Sequence, residues 1–367
     1  MKIIQIINRF DSGGAEKLLL ETIPIYNAKG IHVDLLLLNG KKLPFLKALK
    51  AQNCCNIYSL GTYSVYNPIQ VFRMISFLQK YDIAHVHLFP SQYWIVLSKI
   101  ISFSKIKIIV TEHSSSNPRI KSFFFSKIDR FMYRFYHKII CITDEVYEII
   151  QYHTKLPKNK FKVIVNGINL KVIYNAKPYF KKEISELLNE QDTLLIQVAR
   201  FSRHKDHETV IRAMRLLPDN FKLIFVGDGN LKEECEKRVQ KLGLESRVIF
   251  LGERIDVDRL LKTADISILS SNGEGFGLVA IESMASGKPF IGSDVIGLSS
   301  LVKGSGVLFE KSNERELADS IKRLIEDDDF RINVVNACQL KAKQFDIEVM
   351  VEKHIKLYKT VIEGCNF

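Results

Sequence analysis

Short apolar runs alternate with longer amphipathic segments along most of this chain. In the first half, the runs with the length of buried strands cover residues 3–7, 33–38, 83–87, 106–110, 139–142 and 161–165. In the second half, they cover residues 194–198, 222–226, 248–251, 266–269, 290–291 and 307–309. The segments between them have helical spacing, and strands that alternate with helices form parallel sheets. The pattern therefore predicts an α/β protein with two doubly wound halves.

A charged stretch without strand pattern separates the two series. It covers residues 171–188 and contains Pro178, so the interdomain linker is predicted at residues 168–180. The predicted domains are residues 1–170 and 171–345, followed by a helical C-terminal segment at residues 346–367. Ligands of open α/β sheets bind outside the carboxyl ends of the strands, so these ends are expected to face a shared cleft.

The composition is that of a folded globular protein, with 46% hydrophobic and 26% charged residues. No apolar run reaches the roughly 18 residues that span a bilayer, because three lysines interrupt the best candidate, residues 94–110. The first apolar run is followed at once by Asn8 and Arg9, which favours a β-strand over a signal peptide. The six cysteines show no CxxC spacing, and a reducing cytoplasm is the expected context.

The net charge of +12 is unevenly distributed. Residues 1–171 contain 24 of the 53 Lys and Arg but only 10 of the 41 Asp and Glu, so the excess of positive charge lies in the first half. Nucleic acid, a membrane surface or an acidic substrate are all compatible with such a half.

The segment of residues 270–287 contains a glycine-rich turn, which follows a predicted strand and leads after Gly277 into a predicted helix. Such a turn allows close approach of the backbone and directs N–H groups and the positive helix end towards an anion. Two carboxylates frame it, Glu274 in the turn and Glu282 in the helix, and carboxylates suit sugar hydroxyls rather than phosphate. A ligand that carries both phosphate and sugar would satisfy the whole segment.

Other polar residues also follow predicted strands. Arg200 and Lys205 suit a diphosphate, since arginine offers a bidentate fork and lysine a point charge; a solvated basic loop is the alternative. Gly13-Gly14 follows the first strand and either approaches a phosphate or forms a tight turn. Residues 226–230 have Lys232 in place of a third glycine, so a βα turn is favoured over a dinucleotide site.

Histidines and clustered carboxylates leave several interpretations open. His113 ends a predicted strand, where a histidine serves in acid/base chemistry, in substrate contacts or in a purely structural role. His85 and His87 share one face of a strand, but no third metal ligand follows at a recognisable spacing, which favours a structural role. Residues 327–329 are three aspartates that are expected to cap the following helix.

Residues 118–138 combine basic and aromatic side chains on one predicted helix. This composition favours an interfacial membrane element, whereas the alternative is a core-facing aromatic stripe with a solvated basic face. The predicted membrane-binding residues are Arg119, Lys121, Phe123, Phe124, Phe125, Lys127, Arg130 and Arg134, and further aromatic residues of the stretch are Phe131, Tyr133, Phe135 and Tyr136.

Together these motifs resemble the retaining glycosyltransferases of the GT-B fold, in the large bacterial family called glycosyltransferase group 1 or family 4. The most specific element is Glu274 with Glu282, which is similar to the family's E-x7-E signature with its Gly-Phe-Gly intact. The resemblance covers nearly the whole chain, through Gly13-Gly14-Ala15-Glu16, His113, Asn166-Gly167-Ile168, Arg200 with Lys205, residues 226–229 and Leu251-Gly252-Glu253-Arg254.

The resemblance implies two Rossmann-like domains that face a central cleft, with the C-terminal helix crossing back to the N-terminal domain. It implies a nucleotide-sugar donor, UDP- or GDP-linked, and neither cofactor nor metal. The implied catalytic residues are His113, Glu274, Arg200 and Lys205. The implied donor-binding residues are Gly13, Gly14, Arg200, Lys205, Arg254, Ile255, Glu274, Gly275, Phe276, Gly277, Leu278 and Glu282.

Each of these residues has an implied role. Glu282 would bind the ribose, Glu274 and the glycine backbone the donor sugar, and the two cations the diphosphate. Arg254 and Ile255 would lie beside the base through their backbone. His113 would contact the sugar near the reacting carbon, and Gly13-Gly14 would lie under the donor phosphate and the acceptor.

The sequence departs from the family pattern at three places. Asn169 and Asp206 replace a frequent Asp and a frequent Gly, and residues 296–300 replace a common Gly-Gly…Glu loop. Because of the last departure, the resemblance does not identify the donor sugar.

The expected protein is a cytoplasmic glycosyltransferase, peripheral on the inner face of the plasma membrane. It would act on a lipid-linked or saccharide acceptor in surface-polysaccharide synthesis, with an anionic membrane surface as partner and without nucleic acid. A nucleotide-sugar epimerase of the same fold and a noncatalytic membrane-bound scaffold are the alternatives.

Overall fold

The computed structural model describes residues 1–11, 13–41, 44–114 and 122–364, and at positions 123 and 124 the backbone only. The chain forms two compact units, one of Met1–Gly167 with Ile347–Phe367 and one of Ile168–Asp346. Each unit is built on one parallel sheet. The predicted α/β architecture with two doubly wound halves is confirmed.

The first unit contains a seven-stranded sheet. Its strands are β1 (Lys2–Ile7), β2 (His32–Leu37), β3 (Ile57–Ser59), β4 (Ile83–His87), β5 (Lys107–Glu112), β6 (Lys138–Cys141) and β7 (Phe161–Val163). Their order in the sheet is β3-β2-β1-β4-β5-β6-β7. In β1, Ile3 pairs with Val33 on one side and with Ile83 on the other. The apolar run of β1 therefore forms the centre of a sheet that is buried on both faces.

The second unit contains a six-stranded sheet. Its strands are β8 (Thr193–Val198), β9 (Phe221–Val226), β10 (Val248–Phe250), β11 (Ile266–Leu269), β12 (Phe290–Ser293) and β13 (Val307–Phe309). Their order is β10-β9-β8-β11-β12-β13. Leu195, Phe225 and Ile268 on the strands and Ile281 on a covering helix belong to its core.

Helices cover the two sheets. Those before residue 168 are α1 (Gly14–Ala28), α2 (Pro44–Ala51), α3 (Ile69–Leu78), α4 (Ser91–Ser102), α5 (Phe123–Tyr133) and α6 (Asp144–Thr154). Those after it are α7 (Leu170–Asn175), α8 (Lys181–Ile184), α9 (His207–Met214), α10 (Lys232–Lys241), α11 (Val257–Thr263), α12 (Leu278–Ala285), α13 (Ser299–Val302), α14 (Glu314–Glu326), α15 (Asp328–Ala342) and α16 (Ile347–Glu363). Among the described residues, no helix has the length and apolar character needed to cross a bilayer.

The helix α16 returns to the first unit. It packs against α1, where the hydroxyl of Tyr26 lies 2.6 Å from Nδ1 of His354. Tyr358, one turn further on, is fully buried. The first unit is therefore assembled from two segments of the chain that the whole second unit separates.

Two details differ from the sequence-based expectation. The residues assigned to a linker include α7 of the second unit, because Leu170 and Ile173 are buried in its core. The edge strand β3 was not predicted, since its three residues are half-buried or exposed and give no apolar run.

The aspartate cluster behaves as predicted. The carboxylate of Asp327 accepts a hydrogen bond from the backbone N–H of Phe330 at 2.9 Å, which caps α15.

Candidate active site

The second sheet reverses its strand order between β8 and β11. The chain leaves β8 towards β9 on one side and leaves β11 towards β12 on the other. The loops that follow these two strands therefore flank a crevice at the carboxyl edge, the usual place for a ligand in this architecture. These loops are residues 199–206 and 270–277.

Backbone hydrogen bonds join the two loops. The N–H of Asn272 donates to the carbonyl of His204 at 2.8 Å, and the N–H of Asp206 donates to the carbonyl of Ser270 at 3.1 Å. Between these bonds, Lys205 and Ser271 form an isolated antiparallel bridge. Lys205, predicted as a phosphate ligand, is thereby held against the glycine-rich turn.

The ammonium group of Lys205 forms an ion pair with the carboxylate of Glu274. The side chains are 21% and 9% exposed, so the pair is largely shielded from solvent. Arg200, at the start of the same loop, is exposed. The structure thus brings Lys205 and Glu274 into direct contact and leaves Arg200 exposed in the same loop as Lys205.

A further loop holds the backbone of Glu274. Its N–H donates to the carbonyl of Ile296 at 3.1 Å. Gly297 has φ +82°, and a Cβ at this position would lie 2.0 Å from the carbonyl oxygen of Glu274. Glycine is thus required for the close approach of the two loops. Residues 296–300, which depart from the family pattern, therefore position one of the two signature carboxylates.

The glycine-rich turn ends at the N-terminus of α12. Gly277 caps this helix in the left-handed conformation, with φ +79° and ψ +47°. Its backbone N–H groups and the positive end of the helix dipole favour an anion at this place. Glu282 lies just over one turn further along and is only 4% exposed. Gly275, Phe276 and Leu278 are half-buried around this helix start.

The segment with Arg254 and Ile255 lies after β10. The guanidinium of Arg254 donates to both carboxylate oxygens of Asp256, at 2.8 and 2.5 Å, and the hydroxyl of Tyr179 donates to the same carboxylate at 2.5 Å. These bonds, that of Arg254 above all, lower the pKa of Asp256 to about 2. Ile255 is exposed. The Arg254 side chain is thus fixed by its hydrogen bonds to Asp256.

The Gly227-Asp228-Gly229 turn packs against the backbone that leads to Arg200. A Cβ at Gly227 or Gly229 would lie 2.2 Å from the carbonyl oxygen of Ala199 or Phe201, respectively. Both glycines have a positive φ, +140° and +155°. They therefore serve loop packing, in agreement with the βα turn that the sequence favours.

In the first unit, His113 follows β5 and is half-buried. Its Nε2 lies 2.9 Å from Nδ1 of His87 on the neighbouring strand β4. Burial lowers the pKa of His113 to about 4, so its imidazole is neutral near pH 7. His85 and His87 both form hydrogen bonds within the protein, which agrees with the structural role that the sequence favours for them. At the carboxyl end of β1, Gly13 occupies the N-cap position of α1, as its place after the first strand predicts.

Two family models match the chain. Residues 180–341 match the model of glycosyl transferases group 1, and residues 12–172 match the model of glycosyltransferase family 4. The two matches together cover nearly all of the chain. The chain belongs to the group 1, family 4 glycosyltransferases.

Characterised relatives agree with this assignment. The N-acetyl-alpha-D-glucosaminyl L-malate synthase of Bacillus anthracis is 28% identical over 330 residues, 84% of this chain and 82% of that protein. An N-acetylgalactosamine-N,N'-diacetylbacillosaminyl-diphospho-undecaprenol 4-alpha-N-acetylgalactosaminyltransferase of Campylobacter jejuni is 26% identical over 362 residues, 91% and 93% of the two chains.

The fold has close structural counterparts. The crystal structure of Anabaena HepE in complex with UDP and glucose superposes with a TM-score of 0.85 at 23% identity, covering 98% of this chain and 100% of that one. The glycosyltransferase described here therefore has the GT-B fold of its family.

The structure of this glycosyltransferase describes only part of the predicted membrane segment, and the described residues differ in their exposure. Arg119 and Lys121 lie outside the described residues, as do the side chains of Phe123 and Phe124. Of the rest, Phe125, Lys127, Phe131 and Arg134 are exposed. Arg130 instead donates to the carbonyl of His153 at 3.0 Å, within the packing of α5 on α6.

The long helix expected over this segment is wrong in its extent. The helix α5 starts at Phe123 and ends at Tyr133, and Lys138 already belongs to β6. Tyr133 and Tyr136 are fully buried, so part of the aromatic set belongs to the core. Their side chains meet other buried polar groups: Tyr133 donates to Glu112 at 2.5 Å, and Tyr136 donates to the carbonyl of Gln92 at 3.1 Å.

Three groups that contact predicted site residues of this glycosyltransferase, or their neighbours in the same unit, were not predicted from the sequence. Gly297 and the Tyr179–Asp256 pair act through contacts between distant loops, for which the sequence contains no local signal. Gln5, which contacts His87 at 2.8 Å, is a polar residue inside the apolar run of β1. That interruption is the one signal that could have identified it.

Proposed function

We propose that this glycosyltransferase transfers a sugar from a UDP- or GDP-sugar to a lipid-linked or saccharide acceptor with retention at the anomeric carbon. The observation that carries the proposal is the Lys205–Glu274 ion pair, which joins the loop that contains Arg200 to the turn that leads into α12. It combines cations and helix N–H groups for a diphosphate with carboxylates for sugar hydroxyls. The names of the relatives support a sugar donor and a diphospho-undecaprenol acceptor.

In the proposed complex, Arg200 and Lys205 bind the diphosphate and Glu282 binds the ribose. Glu274, with the backbone of residues 275–277, binds the transferred sugar, and the backbone at Arg254 and Ile255 lies beside the base. Lys205 then exchanges part of its contact with Glu274 for a phosphate oxygen. That exchange frees carboxylate lone pairs for the hydroxyls of the sugar.

The proposed reaction breaks the bond between the anomeric carbon and the diphosphate oxygen. The departing diphosphate gains negative charge, which the two cations and the helix end stabilise, so the step requires no metal. The acceptor hydroxyl bonds to the anomeric carbon on the face that the diphosphate leaves, and its proton passes to the leaving phosphate oxygen. His113 contacts the sugar near the reacting carbon, and Gly13-Gly14 lies under phosphate and acceptor.

The proposed acceptor is carried by a membrane lipid during surface-polysaccharide assembly. The first half of the chain contains the excess positive charge, and Phe125, Lys127, Phe131 and Arg134 on and after α5 are exposed. Exposed basic and aromatic groups on one helix suit an anionic membrane surface. The enzyme would then act as a peripheral protein on the cytoplasmic face of the membrane.

A nucleotide-binding screen with UDP, GDP and their sugars tests the donor site. The variant Lys205→Ala is expected to weaken nucleotide binding, whereas His113→Ala is expected to slow transfer and to leave nucleotide binding intact. Lys241→Ala, at an exposed position on α10, is the matched control and should behave as the wild type. Wild-type binding in Lys205→Ala would contradict the proposed donor site.

Liposome flotation tests the membrane surface. At low salt the protein should bind vesicles that contain anionic lipid, and the double variant Lys127→Glu/Arg134→Glu should lose this binding. The matched control is Lys47→Glu/Lys50→Glu, which changes two exposed lysines of α2 by the same charge. Equal losses in the two double variants would show a nonspecific effect of charge and would contradict the assignment to α5.

A further inference from the structure

A chain of hydrogen bonds crosses the first unit behind His113. Nε2 of His113 lies 2.9 Å from Nδ1 of His87, and Nε2 of His87 lies 2.8 Å from Oε1 of Gln5. The amide nitrogen of Gln5 donates to the hydroxyl of Tyr358 at 3.4 Å, and this hydroxyl lies 2.7 Å from Nδ1 of His85. The chain thus runs from β5 through β4 and β1 to α16.

The orientation of the Gln5 amide fixes the direction of donation in this chain. An amide oxygen accepts hydrogen bonds and cannot donate them, so Nε2 of His87 has to carry the proton. A neutral imidazole has a single N–H, which leaves Nδ1 of His87 as an acceptor. The proton between the two rings then belongs to Nε2 of His113, and Nδ1 of His113 is unprotonated.

The surroundings keep both rings neutral. His87 is only 4% exposed, and its ring centroid lies 4.4 Å from that of His85 and 5.2 Å from that of His113. Burial and then the neighbouring histidines, including His354, lower the pKa of His87 well below its ordinary value. Two imidazolium rings in direct contact would repel each other, so the neutral arrangement is favoured throughout the cluster.

We infer that Gln5 and His87 are positioning residues that hold His113 as the Nε2–H tautomer and leave its Nδ1 lone pair to accept a hydrogen bond from a hydroxyl of the transferred sugar. This inference rests on the proposed contact between His113 and the sugar. Within the described residues, no hydrogen bond engages Nδ1 of His113. A neutral ring in this state acts towards the sugar as an acceptor and has no proton to give at Nδ1.

Nitrogen-detected NMR of the full chain with labelled histidine tests the tautomer without any substrate, and the His113→Gln variant assigns the signal. The expected spectrum shows His113 with a protonated Nε2 and an unprotonated Nδ1. An Nδ1–H tautomer of His113 in the wild type would mean that the hydrogen bonds between Gln5, His87 and His113 are donated in the opposite direction. That result would overturn the inference. Because this measurement needs neither donor nor acceptor, its outcome is independent of the proposed reaction.

Kinetics of Gln5→Leu tests the positioning role. Removal of the amide oxygen should shift His113 towards a mixture of tautomers and lower kcat about 10-fold or more, with the KM for the donor unchanged. The matched control is Thr111→Val, which removes the hydroxyl 2.7 Å from Nε2 of His85 and leaves the Gln5–His87–His113 part intact. The control should keep the wild-type tautomer and kcat.

Two results would separate the inference from the proposed function. An unchanged His113 tautomer in Gln5→Leu would overturn the positioning role. Wild-type transfer by His113→Ala would overturn the contact with the sugar even if the tautomer were the expected one.

Discussion

The two units share a doubly wound parallel sheet, yet they present different chemistry at the carboxyl edges of the strands. In the second unit the edge has charged side chains on loops, with Lys205 and Glu274 in an ion pair and Arg200 exposed in the same loop as Lys205. In the first unit it has neutral histidines, of which His85 and His87 are buried on β4 itself. Similar scaffolds thus support very different sites.

The two units also differ in the structural elements that hold these side chains in place. The register of the first sheet, in which His85 pairs with Ile109 and His87 with Thr111, fixes its histidines. Contacts between loops fix the charged groups of the second unit, as in the approach of Gly297 to Glu274. The charged groups of the second unit thus depend on contacts between loops, whereas His85 and His87 of the first unit are held by strand pairing.

The largest effect is expected from Gly297→Ala in the second unit. The added Cβ would lie 2.0 Å from the carbonyl oxygen of Glu274, so one of the two loops has to move. We expect the loss of detectable sugar transfer. The control is Gly304→Ala, which has a similar φ of +78° but open space around it, and which should cost only about 1–2 kcal/mol of stability. Normal transfer by Gly297→Ala would show that loop contacts do not fix Glu274.

Acid should destabilise the first unit through its neutral histidines. In the folded state, burial above all lowers the pKa of His354 to about 3 and those of His85 and His87 well below their ordinary values. The unfolded chain therefore binds more protons below about pH 6.5, and stability is lost as the pH falls below that value. At pH 5 each buried histidine should contribute a loss of up to about 2 kcal/mol.

The fluorescence of Trp94, the single tryptophan of the sequence, reports on the first unit in urea unfolding at pH 7.5 and pH 5. His354→Gln should flatten this pH dependence. An unchanged slope in that variant would show that His354 is not one of the responsible groups.

A smaller effect is expected from Glu282→Gln in the proposed ribose site. The change keeps the shape of the side chain but replaces a charged acceptor, whose hydrogen bonds are worth about 1.5–3 kcal/mol. Nucleotide affinity should fall roughly 10-fold or somewhat more, as measured by calorimetry. The wild type should bind UDP more tightly than 2′-deoxy-UDP, and the variant should lose most of this preference. Equal discrimination by both proteins would place the ribose elsewhere.

The smallest effects are expected at two helix caps, one in each unit. Thr143 accepts from the N–H of Val146 at 3.1 Å, and Asp327 accepts from that of Phe330 at 2.9 Å. Replacement of either by Ala should cost about 1 kcal/mol of stability. Only the cost at Asp327 should shrink in high salt, since its charge interacts with the helix dipole. The same salt response at both caps would mean that hydrogen bonding alone accounts for both.

The sequence predicted most strands and the glycine-rich turn, because these depend on local pattern. The apolar spacing of Leu278, Ile281 and Met284 indicated α12 directly. The Lys205–Glu274 pair was not predicted, since it joins residues 69 positions apart through the adjacency of β8 and β11. Only the tertiary structure shows that Lys205 and Glu274, which were assigned to different parts of the donor, contact each other.

The lack of a local sequence signal for long-range contacts also explains the other differences between the predicted and the observed structure. The tyrosines at positions 133 and 136 were grouped with exposed phenylalanines because the stretch was taken as one long helix, whereas the chain turns after Tyr133 and buries both rings. The partners of His85 come from β5 and from α16, and Tyr358 is 273 residues away in the chain. No spacing rule relates residues at such distances.

The return of α16 to the first unit has a consequence for biosynthesis. A chain that leaves the ribosome from its N-terminus exposes all seven strands of the first sheet long before Tyr358 and His354 are made. The second unit, residues 168–346, is complete before α16 emerges and can fold during that interval. Until then Tyr26 and His85 lack the partners that α16 supplies. During synthesis, the surface of the first unit that α16 covers therefore stays exposed until the whole second unit has been made.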